Sequence, residues 1–156
     1  MITVDLLEPK PNKLEESLAL LQSDIFPLYV KHWQEELEPH YHKDFEPHLQ
    51  LFIDMWVRGG MKIFVAYENG HAVGFVIGIL FRPLQYTASV LQIQDSYTDN
   101  RSDVADAFNK YISNALRILG CNEVWYDTQY RNDCIRLAGE WIEQEEMRIR
   151  RFVKDA

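Results

Sequence analysis

The chain has 156 residues, 47% hydrophobic and 26% charged, with 16 basic against 24 acidic side chains and a formal charge of −8. That length suits a single domain over residues 1–156, large enough to bury a core without staples. The acid excess excludes a general nucleic-acid binder, which needs Lys and Arg against phosphates, and it opposes docking on an anionic membrane.

Residues 2–7 alternate and end at Pro9 and Pro11, which predicts a short first strand. Leu14, Leu18, Leu21 and Ile25 then recur on one helical face. Pro27 should kink or restart that helix, with Val30, Trp33 and Leu37 extending the apolar face beyond it. A second helix carries Phe45, Leu49, Phe52 and Trp56 and stops at Gly59-Gly60. The period then changes. Residues 61–67 and 72–81 are apolar runs rich in Val, Ile and Phe, and the Asn69-Gly70 pair between them predicts an antiparallel hairpin. Residues 88–97 form a strand with both faces apolar as far as Gln92. A polar loop follows and enters a helix whose Val104, Phe108, Tyr111, Ala115 and Leu119 share a face. Ser102 or Asp103 can cap its start, and Gly120 ends it. A strand over 123–128, a helix over 133–141 and a strand over 146–153 complete the chain. The order β-α-α-β-β-β-α-β-α-β predicts an α/β (α+β) fold, one mixed sheet with helices on both faces.

Two cysteines, Cys121 and Cys134, make no disulfide framework, and no basic-then-apolar leader precedes them. A reducing cytoplasm is the expected compartment. The apolar run 72–81 is half the roughly 20 residues that span a bilayer, so no membrane association is expected. His40, His42 and His48 with Asp44 and Glu46 match no standard ligand spacing and read as a polar surface loop; no metal is expected.

A helix N-terminus is an anion site wherever the backbone comes close enough, and glycine usually permits that approach. The loop entering the helix after 88–97 has no glycine, and Asp99 and Asp103 bring negative charge. Arg101 offsets part of it. The loop thus reads equally as a plain helix cap.

With this element order, the segments KIFVAYENGHAVGFVIG, FRPLQY, LQIQDSYTDNRSDVADAF and VWYDTQYRNDCIRLAGEW make the chain resemble the GNAT N-acetyltransferases. The pattern is nearest to the short phage-encoded members and runs from about residue 10 to the end. The resemblance implies that acetyl-CoA enters a gap beside strand 88–97 and that the following loop wraps its pyrophosphate. It assigns donor contacts to Tyr97, Asn100, Arg101, Ser102, Asp103, Val104, Ala105 and Asn132. The family's loop is Gln/Arg-x-x-Gly-x-Gly/Ala, and only Ala105 agrees with it here. It also implies a carboxylate base near the end of the central strand, for which Asp95 is the candidate. As a bare strand-end carboxylate, Asp95 equally reads as a loop anchor. The family's thiolate partner is a Tyr seven residues after the Asn that opens the next helix; that position is Gly139, and Tyr130 or Tyr126 stands nearby to replace it.

Two functions of different class follow. One is a weak or inactive homologue with a degenerate donor loop, serving as a phage accessory or virion scaffold. It would bind a protein partner in the bacterial host's cytoplasm or in the virion. The other is an active acetyl-CoA-dependent transferase acting on a primary amine of a small molecule or protein. An aromatic content of 13% supplies interface material for the first; Asp95 and Asn132 support the second.

Overall fold

Asn69 and Gly70 both hold left-handed backbone, φ 51° and 77°, as a two-residue hairpin turn demands. The flanking runs pair antiparallel, with Ile63 opposite Ile77, Phe64 opposite Val76 and Val65 opposite Phe75. The expected hairpin is there. The computed structural model describes residues 1–9, 11–37, 48–127, 140–144 and 149–153. Its strands are β1 (Ile2–Leu7), β2 (Met61–Glu68), β3 (His71–Phe81), β4 (Ser89–Tyr97), β5 (Cys121–Asp127), β6 (Glu140–Gln144) and β7 (Ile149–Val153). Its α-helices are α1 (Leu14–Leu20), α2 (Phe26–His32), α3 (Leu49–Val57) and α4 (Ser102–Leu119).

The strands form one mixed sheet in the order β1-β2-β3-β4-β5-β7-β6. Neighbours run antiparallel except β4 and β5, which are parallel and joined by the α4 crossover. The expected helix over 133–141 is corrected at its end, where Glu140 and Trp141 open strand β6. In register, Trp141 stands opposite Phe152 and Ile142 opposite Arg151; an available sheet edge decides such a segment more than its own helix propensity does. Residues 133–139 lie outside the described residues, as do Phe45, His40, His42, Asp44, Glu46, Tyr130, Asn132 and Cys134.

Pro27 acts on the helix before it. The turn from Leu21 to Ile25 is a π-helical widening. Proline brings no N–H and its ring crowds the carbonyl four residues back; a wider turn absorbs that misfit without ending the helix. The helical path therefore continues through α2 and a second π turn, Trp33–Leu37. At the head of α3, His48 is a cap: its Nδ1 accepts the Leu51 N–H at 3.3 Å.

The sheet separates two cores. On one face α4 buries Val104, Phe108, Ile112 and Leu116 against Phe64, Ala66, Val76, Leu91 and Ile93. This corrects the expected stripe through Tyr111, Ala115 and Leu119. The sheet takes the i, i+4 row carrying the wholly apolar Ile112 and Leu116, and Tyr111 and Leu119 pack at its margin. On the other face α1 to α3 cover Ile63, Val65, Phe75 and Ile77 with Leu21, Ile25, Phe52 and Trp56. Among the described residues, no helix is long and apolar enough to cross a membrane.

Candidate active site

One irregularity in the β3–β4 ladder decides which way the central strand's polar end faces. Ile77 stands opposite Asp95 but Gly78 stands opposite Ile93, so Gln94 has no counterpart. An extra residue of this kind reverses the alternation of side chains. Leu91 and Ile93 lie in the α4 core, and strict alternation would send Asp95 there too. The bulge instead turns Asp95 and Tyr97 onto the α2 face, beside Ile77 and Phe75. On its other edge, among the described residues, β4 pairs with β5 as far as Ile93 opposite Tyr126, and β5 runs on to Asp127 opposite Ile149 of β7. Asp95 stands two residues beyond the last described pair of that parallel ladder.

Asp95 meets a residue that sequence reasoning did not single out. His32, at the last position of α2, is fully buried, and its Nε2 lies 3.2 Å from Asp95 Oδ1. Among the described residues, Phe75 at 5.7 Å between centroids, Tyr97 at 5.9 Å and Tyr29 at 6.3 Å pack around the imidazole. The Asp95 side chain is 25% exposed. One carboxylate therefore spans a buried imidazole and an accessible surface. The signal in the sequence was spacing, since His32 follows Leu21, Ile25 and Leu28 at i+11 on the apolar face.

The Tyr97 ring is buried. Its hydroxyl lies 3.1 Å from Asp99 Oδ1 and 3.2 Å from Glu35 Oε2, and Lys31 sits over the ring at 5.7 Å. Burial first, and then the neighbouring Asp99 and Glu35 carboxylates, push the phenol's pKa well above its ordinary value. It remains a neutral donor that ties the end of β4 to the helical layer.

The loop after β4 reaches left-handed backbone without glycine. Asp99 and Asn100 hold φ 53° and 56°, and the Arg101 N–H closes the turn on the Thr98 carbonyl at 3.0 Å. Asp and Asn are the side chains that tolerate this region best. The expectation of a Ser102 or Asp103 cap is corrected: α4 opens at Ser102, its cap residue is Arg101, and no side chain caps it. Asp103 Oδ1 accepts the Val104 N–H at 2.9 Å from inside the first turn, and the Ala105 N–H makes an early helical bond to the Arg101 carbonyl.

Arg101 is held by two carboxylates. Its terminal nitrogens bind Glu68 Oε1 and Oε2 at 3.0 and 2.8 Å, and its Nε and Nη2 bind Asp103 at 3.1 and 2.7 Å. Such planar, bidentate geometry is what guanidinium favours. Hydrogen bonding to Arg101 holds both Glu68 and Asp103 below the ordinary carboxylate range, and those bonds raise the guanidinium further. The arrangement fastens the hairpin end to the start of α4.

Elsewhere, Cys121 is buried and its thiol is pushed up to about 11 by burial, the environment of an inert packing cysteine. Among the described residues, no three His, Cys, Asp or Glu side chains gather as a metal-binding group. Phe81 and Tyr86 meet Trp125 edge-on, at 5.6 and 6.0 Å between centroids.

No family model matches the chain, and no curated protein matches it in sequence. Solved structures do. A ribosomal-protein-alanine N-acetyltransferase from Brucella melitensis biovar Abortus 2308 superposes with a TM-score of 0.63 over 92% of this chain and 96% of its own, at 15% identity. A probable acetyltransferase gives 0.61 over 85% and 82%, at 19% identity. The fold is GNAT-like. An aminoglycoside acetyltransferase from an uncultured soil metagenomic sample, solved with sisomicin, shares it with a TM-score of 0.57 at 16% identity, over 85% of this chain and 80% of that one. At such identities the GNAT-like likeness is one of architecture, and residue roles have to be argued from this chain's own geometry.

Proposed function

We propose that the protein is an acetyl-CoA-dependent N-acetyltransferase acting on a primary amine of a small molecule. The observation that carries this reading is Asp95: a bulge turns it out of the α4 core, two residues past the last described β4–β5 pair, with one side open and the other backed by His32. In the reaction, the amine nitrogen attacks the thioester carbonyl, the C–N bond forms as the C–S bond breaks, and the ammonium proton passes to Asp95. The departing thiolate takes a proton from water or from a Tyr, for which the GNAT resemblance offers Tyr130 or Tyr126. The amine-bearing ligand of the GNAT-fold neighbour solved with sisomicin supports a small amine as acceptor.

The donor loop fits acetyl-CoA in part. Its left-handed turn at Asp99 and Asn100 and the helix start at Ser102 supply the backbone shape of an anion cradle. Its charges oppose phosphate, since Arg101 is engaged by Glu68 and Asp103. That clamp favours the second reading so far as it concerns the donor loop, a GNAT-fold protein whose degenerate loop binds no acetyl-CoA and whose role is to bind a protein partner. Calorimetric titration with acetyl-CoA and desulfo-CoA, followed by transfer assays on a panel of primary amines, separates the two. Binding with turnover supports the transferase. The transferase reading is falsified if neither ligand binds and no amine is acetylated.

A further inference from the structure

We propose that His32 is a positioning residue that fixes the Asp95 carboxylate for proton abstraction from the acceptor amine. The inference rests on the transferase reading above and deepens it. A single aspartate at the end of a strand has two free side-chain torsions. Here His32 Nε2 stands 3.2 Å from Oδ1, and the imidazole is itself held by Tyr29, Phe75 and Tyr97. The ring is fully buried whereas the carboxylate is a quarter exposed. Only Asp95 of the pair is accessible to an amine, so His32 acts through it. In the Nε2–H tautomer the imidazole donates to Oδ1 and leaves Oδ2 as acceptor for the incoming ammonium.

The bulge and the histidine support each other. Without Gln94 as the extra residue, Asp95 would face α4 and its contact with His32 would be lost. A contact that merely tied α2 to the sheet needs no accessible oxygen and no register break.

The test is a double-mutant cycle read by steady-state kinetics with acetyl-CoA and whichever amine of the panel the wild-type protein acetylates. His32→Phe keeps a buried ring and removes the donor; it should lower kcat about 100-fold, the size of a small misplacement of a catalytic group, with the KM for acetyl-CoA within about twofold. His32→Gln restores an N–H donor and should recover most of that loss. In an Asp95→Asn background, adding His32→Phe should cost nothing more, because its whole effect passes through the carboxylate. Equal losses from His32→Phe with and without Asp95→Asn overturn the proposal, as does a His32→Gln variant as slow as His32→Phe. If His32→Phe does not fold, a folded His32→Gln variant retaining less than about a tenth of kcat overturns it alone. Absence of turnover by the wild-type protein overturns the transferase reading and this one together. Wild-type turnover with additive losses overturns this one only.

Discussion

At the scale of single residues, Arg101 is the point where charge, stability and the proposed donor site meet. Because it holds Glu68 and Asp103 below their ordinary range, the native state binds fewer protons than the unfolded chain around pH 4. The clamp's contribution to stability is therefore complete above the unfolded carboxylate range and is lost as pH falls through the lowered native values. Glu68→Gln should melt below the wild type at pH 7, and the two melting temperatures should converge at acid pH; a gap independent of pH would show that the ion pair is not its source. The same clamp predicts a binding effect. Asp103→Gly removes a like charge beside the cradle and frees the Val104 amide, so acetyl-CoA should bind more tightly in a low-salt calorimetric titration. Unchanged affinity would mean that this loop does not hold the phosphates. Asp95 was legible as a carboxylate at a strand end, and its partner was missed although its spacing was there to read. Sequence reading extended the apolar face beyond Pro27 through Val30, Trp33 and Leu37. The helical path instead runs on through the π turn Leu21–Ile25, and His32 is buried with Leu21 and Ile25.

At the scale of elements, the signals that were read correctly are those with a local cause. Asn69-Gly70 fixes its own turn, and the apolar runs on either side fix their pairing. The bulge at Gln94 has no such local mark, because it exists only in the register between β4 and β3. The α4 stripe was off by a fraction of a turn, since the sheet selects which helical row it packs. Gly74 shows how tightly those elements meet. A Cβ there would stand 2.6 Å from the Tyr97 carbonyl, 3.0 Å from Val104 Cγ1 and 3.2 Å from Phe108 Cε2. The nearest obstacle is backbone and cannot rotate away. Gly74→Ala should therefore destabilise the protein by about 1–3 kcal/mol, the usual cost of overpacking, and should lower donor affinity as well by moving the start of α4. Urea melts check the first effect and acetyl-CoA titration the second; a neutral substitution would mean that β3 and α4 yield more easily than their spacing implies.

At the scale of the whole molecule, the mixed sheet with helices on both faces was legible from element order, since a hairpin followed by a strand–helix–strand crossover leaves few topologies open. The sheet's far edge was not. β6 arises where the sequence suggested the end of a helix, and β7 enters between β5 and β6, an order that no local pattern encodes. The two cores share β2 and β3: Phe64, Ala66 and Val76 face α4, while Ile63, Val65 and Phe75 face α1 to α3. Alternate residues of the same strands thus serve opposite layers, and neither layer can lose its packing without exposing the backs of strands the other needs. We therefore propose that the chain is one cooperative domain. Phe108→Ala on the α4 face and Trp56→Ala on the other each empty a fully buried site, and each should cost about 3–5 kcal/mol. Trp56→Ala also strands the Leu7 carbonyl, which accepts the indole N–H at 3.1 Å. Both variants should nevertheless unfold in urea through a single transition, coincident by far-UV circular dichroism and fluorescence. A Trp56→Ala variant that loses the α1 to α3 layer first, and keeps α4 and the sheet folded to higher urea, would divide the chain into two units and end the single-domain account.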